Sequence, residues 1–320
     1  MPDDSKPAKK EWSNKTCVIF GNSASTLSSL QQVSLPQDWR VTKICTSVES
    51  LLLEARKQSF SFIIVDDTLE LPVLALVRKL LLQPVLLSFP IICFLMEHRA
   101  YEKDVLVGLT YMDVVPKPFR PVIFVKAFQN LITKWETPPF YALRLGMAQY
   151  LKMDKVQSRI EILVKLTQLE DIKKVAIPCL AYELYSSSFP HKAEELLLEA
   201  VQRYPQHLAS TVFLGDLYMR WAMPLVANRF FLSLSRRFPK SLFLYPDCIQ
   251  ALYLMNRFEA ALELLQIAFK KGYFLAEIIP VYLHCLFAEN KHLEAERIGA
   301  SAKSIFKKIA ESWDFESPNT

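Results

Sequence analysis

Glycine is scarce in this chain, at 6 of 320 residues (21, 108, 146, 215, 272 and 299), about 2% against the ~7% of an average protein. No two stand close enough for a dinucleotide-binding or Walker-type loop, which needs several glycines to bring backbone amides onto a phosphate. The same scarcity argues against a turn-rich all-β fold and towards helices. Cysteines stand singly at 17, 45, 93, 179, 248 and 285, each among apolar neighbours and never as C-x-x-C. That is the pattern of buried free thiols in a reducing compartment rather than of disulfides or zinc ligands. No long hydrophobic run exists. The best stretch, Leu80 to Met96, is broken by Gln83, Pro84, Ser88 and Pro90, short of the ~20 apolar residues of a membrane helix, so no membrane insertion is expected. Met1–Asn14 is polar and lysine-bearing, without the apolar core of a signal peptide, which makes a cytoplasmic location the expectation. Lys and Arg exceed Asp and Glu by 38 to 33, a net +5, too little for a dedicated nucleic-acid binder. The five histidines (98, 191, 207, 284, 292) form no H-E-x-x-H, and G-x-S-x-G is missing. No metal, cofactor or catalytic centre is therefore expected, and the chain reads as non-enzymatic.

What is present is apolar material for two cores, with 51% hydrophobic and 22% charged residues. After a leader of residues 1–14, five short β-branched runs (Thr16–Phe20, Arg40–Cys45, Phe60–Val65, Pro90–Leu95 and Met112–Val115) read as strands of a parallel sheet covered on both faces. Stretches with helical periodicity follow them: Ser23–Val33, Ser47–Lys57, Glu70–Leu82, Arg99–Gly108 and Pro121–Trp135. Strand and helix in alternation make a doubly wound, five-stranded α/β unit over residues 15–136.

Three segments of that unit, Phe60–Asp66, Pro90–Leu95 and Asp113–Phe119 with its Lys117-Pro118-Phe119 end, resemble the receiver domain of two-component response regulators. The resemblance implies a flavodoxin-like fold, with Asp66 at the phosphoacceptor position and Lys117 as the lysine that contacts the phosphoryl group. The chain departs from the family where the chemistry is done. Gly21 and Asn22 stand where the family carries the acidic pair that holds Mg²⁺, Leu95 replaces the hydroxyl residue closing the fourth strand, and Glu70 stands where a proline is usual, with Pro72 later. Asp67 is expected to point away from Asp66 across the strand. A pseudo-receiver is the reading, Mg²⁺ being a cofactor only if the site works, and Lys117 is expected to pair directly with Asp66.

The second half repeats. Ala193, Ala227, Ala261 and Ala295 recur at a constant interval of 34 residues, with Leu197, Phe231 and Leu265, and Pro205 and Pro239, in step. A helix–turn–helix repeat of that length needs a small residue where its helices cross. Leu214-Gly215, Tyr218, Ala227, Phe231 and Pro239 resemble the tetratricopeptide pattern. The resemblance implies an α-helical solenoid over residues 140–313, with repeats starting near 140, 174, 208, 242 and 276 and a tail at 314–320. Pro178, Pro246 and Pro280 are expected in the first turns of first helices. By the family's groove positions, Tyr182, Tyr185, Asp216, Met219, Arg220, Gln250, Tyr253, His284 and Phe287 would line a partner-binding face. Basic pairs at Arg236-Arg237, Lys270-Lys271 and Lys307-Lys308 read as helix-end charges.

The fold expectation is therefore multidomain, α/β followed by all-α. The functional expectation is a signalling adaptor that binds protein partners through the repeat groove and the receiver surface, with homodimerisation open. The alternatives are a response regulator switched at Asp66 and an RNA-binding repeat protein.

Overall fold

The computed structural model describes residues 12, 14–22, 24–68, 73–109, 112–118, 120–205, 208–238, 240–271 and 278–305. Most of the expected leader, Glu70, Pro72, Pro239 and the last helix and tail beyond 305 lie outside them.

Strands β1 (Thr16–Phe20), β2 (Arg40–Cys45), β3 (Phe62–Asp66), β4 (Ile91–Met96) and β5 (Met112–Lys117) form one parallel sheet in the order β2-β1-β3-β4-β5. The two central strands β3 and β4 are almost wholly buried, because helices cover both faces. These are α1 (Ala24–Gln31), α2 (Val48–Arg56), α3 (Val73–Leu81), α4 (Lys103–Leu109) and α5 (Pro121–Trp135). Right-handed crossovers put α1 on one face and α2, α3 and α4 on the other. Helix α5 returns on the α1 side, where Phe124 meets Phe94 and Phe128 meets Phe62 at centroid separations of 5.4 and 4.6 Å. Ser47 caps α2 by accepting from the Ser50 N–H at 3.1 Å, and Pro121 opens α5.

One expected helix is divided. Residues Glu97–Glu102 form a 3-10 turn ahead of α4. Its period of three places Arg99 and Glu102 on one face, and both are buried.

Among the described residues, ten helices follow as consecutive pairs: α6 (Pro138–Lys152) and α7 (Val156–Thr167), α8 (Lys173–Ser186) and α9 (Pro190–Arg203), α10 (Leu208–Arg220) and α11 (Pro224–Arg237), α12 (Tyr245–Leu254) and α13 (Phe258–Lys270), α14 (Ile279–Ala288) and α15 (His292–Ile305). The repeat is written in the backbone as well as the sequence. Ser188, Ala222, Asn256 and Asn290, each 34 residues after the last, take φ of 66°, 54°, 55° and 57°. Just after them the amides of Phe189, Met223, Arg257 and Lys291 donate to the carbonyls of Leu184, Tyr218, Leu252 and Leu286 at 2.8–2.9 Å. Those are the bonds of a Schellman motif, so every first helix from α8 onward ends in the same turn. The in-phase alanines 193, 227, 261 and 295 are all buried.

Pro246 and Pro280 do sit in first turns. Pro178 does not. It lies inside α8, because the 3-10 turn Glu170–Ile172 runs straight into Lys173 and starts this helix a turn early.

The repeats lean on the α2–α4 side of the sheet. Helix α6 packs on α2, α8 on the buried turn Pro84–Ser88, and α10 on α4. Gly108 permits the last approach, since a Cβ there would stand 2.9 Å from Leu208 Cδ1. Trp135 meets Phe140 at 5.1 Å around the corner between α5 and α6. One buried apolar cluster runs from Trp12 to Ala302. The six cysteines are buried and free, and among the described residues no helix is long and apolar enough to cross a membrane.

Candidate functional site

The receiver-like positions converge at the carboxyl end of the sheet. Asp66 ends β3 with no exposed surface. Gly21 follows β1 so closely that a Cβ would stand 3.2 Å from the Asp66 Cβ, at a φ of +155°. A side chain at 21 would be crowded and its backbone disfavoured, so the family's first acidic position is structurally a glycine here. Asn22, next to it, is exposed. The Asp66 Oδ2 accepts from the Thr26 hydroxyl at 3.0 Å. Its Oδ1 lies 2.6 Å from Lys117 Nζ, close enough for an ion pair though not aligned as a hydrogen bond. Lys117 precedes a cis peptide to Pro118 and donates to the Asp67 carbonyl at 2.7 Å. Leu95 is buried in β4 and offers this corner no polar atom.

Asp67 turns the other way, as its alternation along the chain requires. Its carboxylate accepts from the Val73 N–H at 2.8 Å, thereby capping α3, and from the Met96 N–H at 2.9 Å, and it pairs with the buried Arg99 guanidinium. Each of the two adjacent carboxylates thus has its own cation. Arg99 carries no family signal, and the sequence places it only at the start of the expected helix Arg99–Gly108.

These residues do not fit the Mg²⁺ ion that the receiver resemblance implies. Gly21 has no side-chain ligand atom, Asn22 is neutral, Leu95 is aliphatic, and the ammonium of Lys117 already sits on Asp66. A hard divalent cation takes several oxygen ligands with anionic charge among them. Among the described residues, no cluster of three or more His, Cys, Asp or Glu could hold a metal.

The groove positions fall at the C-terminal ends of the first helices and are all at least partly exposed. They meet in two clusters. On α8 and α10, the Arg220 guanidinium lies 5.5 Å from the Tyr185 ring centroid and donates through Nε to Asp216 at 2.7 Å. Tyr182 leans inward on Phe213 at 6.3 Å, with Met219 half-buried on α10. On α12 and α14, His284 sits between Tyr253 and Phe258 at 5.4 and 5.7 Å. Gln250 is exposed on α12, and Phe287 meets His292 at 5.7 Å. Phe258 and His292, both opening second helices, were not legible as groove residues because the family pattern places the groove on first helices.

No protein-family model and no curated protein matches this chain. Among solved structures it is similar to one described as "MamA AMB-1 C2221", at 15% sequence identity and a TM-score of 0.41, over 52% of this chain and 96% of that one.

Proposed function

We propose that this protein is a non-enzymatic interaction adaptor, in which the helical array carries a partner-binding face and the α/β unit is a degenerate receiver that braces it. The observation that carries the reading is the aromatic strip of Tyr185, Arg220, Tyr253, His284 and Phe287. These side chains remain partly exposed while the N-terminal turns of α10 and α12, the helices that carry Arg220 and Tyr253, are spent on the α/β unit through Leu208 and Asp247. With Arg220 neutralised by Asp216, the strip suits a segment with apolar anchors better than an acidic one. The cations already matched to Asp66 and Asp67 support a structural use of the receiver pocket.

Replacing Tyr185 and Tyr253 together by alanine tests the reading. Buried anchors of this kind are worth ~2–4 kcal/mol each, so the variant should lose a partner that the parent chain retains, at unchanged thermal stability. Equal capture by both chains moves the binding surface off the strip.

A further inference from the structure

Arg99 and Glu102 are 1% and 0% exposed and face opposite tasks. Arg99 pairs with Asp67 and donates to the Thr68 carbonyl at 3.1 Å. Glu102 reaches the repeats, where it accepts from the Ser241 hydroxyl through Oε2 and from the Leu242 N–H through Oε1 at 2.7 Å. Ser241 Oγ in turn accepts from the Phe243 N–H at 3.0 Å, and this loop leads into α12. A single 3-10 turn is therefore bonded at one end to the residue beside Asp66 and at the other to the entry of a repeat.

The two side chains share one face of the turn, and the charge of Arg99 acts on Glu102. A buried guanidinium stripped of its carboxylate is strongly disfavoured, and Glu102 is the second carboxylate in its field. We propose that this turn is a lever: Asp67 holds Arg99 away from Glu102, leaving Glu102 to grip the Ser241–Leu242 loop, and neutralising Asp67 draws Arg99 onto Glu102 and releases that loop. The charge state of the carboxylate pocket would then be read out at α12, without a metal and without the hydroxyl switch that Leu95 replaces.

Amide hydrogen exchange at Leu242 in the full chain reads the grip directly, because that N–H is the one Glu102 accepts. Glu102→Ala fixes the released limit. Asp67→Asn, which keeps an oxygen for one of the Val73 and Met96 amides, should speed exchange at Leu242 at least tenfold. Arg99→Met alone should leave Leu242 protected, and Asp67→Asn with Arg99→Met should restore protection. A merely structural ion pair gives a different pattern: Arg99→Met deprotects Leu242 as much as Asp67→Asn does, and the double variant is no better than either. That pattern overturns the lever. If Asp67→Asn does not fold, Arg99→Met decides the matter, since loss of protection there is enough to reject it and retention supports it.

Discussion

Arg78 on α3 and Asp247 on α12 stand 2.5 Å apart, with side chains 27% and 13% exposed, and 169 residues separate them in sequence. This pair, the Glu102 bonds and the Gly108–Leu208 contact all join the α2–α4 layer of the sheet to the first helices of the repeats. Part of the first-helix side of the array is thereby covered in cis. Burial pushes the Asp247 carboxyl up from its ordinary value, and Arg78 opposes that shift.

Removing Arg78 leaves Asp247 desolvated without its cation. Arg78→Ala should therefore cost ~2 kcal/mol of unfolding free energy, below the 3–5 of a fully buried pair because both side chains keep some solvent. The double variant Arg78→Ala with Asp247→Ala should cost less than the sum of the singles, by 0.5 kcal/mol or more. Denaturant titration of the four chains measures it, and strict additivity would deny the coupling.

The sheet and the array were legible because each writes a period into the sequence. Ile63, Ile64, Val65 and Ile91, Ile92 announce strands buried on two sides, and the alanines at 193, 227, 261 and 295 announce the helix crossings. The Lys117–Asp66 contact was legible through the Lys-Pro-Phe end. Pairings without a period were not. Arg99, Glu102, Arg78 and Asp247 are single charged residues whose partners come from distant chain, so their sequence surroundings look like ordinary surface. Glu136–Pro139 falls between the two expected units, and Trp135 on one side of it is buried against Phe140 on the other. Pro138 opens α6 without dividing the buried apolar cluster.

Limited proteolysis should consequently yield no pair of stable fragments meeting at residues 137–139. A fragment of residues 15–136 lacks the α8 cover over Pro84–Ser88, all five of which are buried in the whole chain. Expressed alone, it should aggregate or show exposed apolar surface to a hydrophobic dye, whereas the whole chain should unfold in one transition. Two well-separated transitions would show independent units.

Glu102 should make stability depend on pH near neutrality. Burial pushes its carboxyl up to about 7, against the opposing effects of Ser241, the Leu242 N–H, Lys271 and Arg99. Tyr101 and Tyr245 are the other titratable groups it influences. A raised carboxyl pKa means that the folded chain holds the proton more tightly than the unfolded one. Its contribution is full below pH 4.5 and is lost as the pH rises to about 7, by ~3 kcal/mol at most. The difference in unfolding free energy between the parent and Glu102→Gln should shift in that window and level off above it.

The repeated turn offers a stabilising substitution. Ala222 is held at φ 54°, a conformation that costs an L residue ~1–2 kcal/mol, while glycine loses ~0.5–1 kcal/mol of chain entropy on folding relative to alanine. Ala222→Gly should therefore raise stability by about 0.5–1 kcal/mol, and Asn256→Ala should lower it. Thermal unfolding of both variants against the parent gives the sign.

The last expectation is that Asp66 accepts no phosphoryl group. Phosphoryl transfer needs the developing charge on the moving group neutralised, and metal ions with positioned donors do this in phosphoryl-transfer enzymes. Here Asp66 is fully buried, Thr26 donates to its Oδ2, and Lys117 lies 2.6 Å from its Oδ1. An incoming phosphoryl group would have to displace one of these, with Gly21 and Leu95 giving nothing back. Incubation with Mg²⁺ and acetyl phosphate, or with beryllofluoride, should leave the intact mass and the amide spectrum unchanged. The stabilising role of the pair predicts in addition that Lys117→Ala destabilises the chain by ~2–3 kcal/mol, since a buried carboxylate then keeps only a hydroxyl, and that Lys117→Ala combined with Asp66→Asn recovers part of it. Stoichiometric phosphorylation that disappears in Asp66→Asn would overturn this reading and make the chain a response regulator whose output is the helical array.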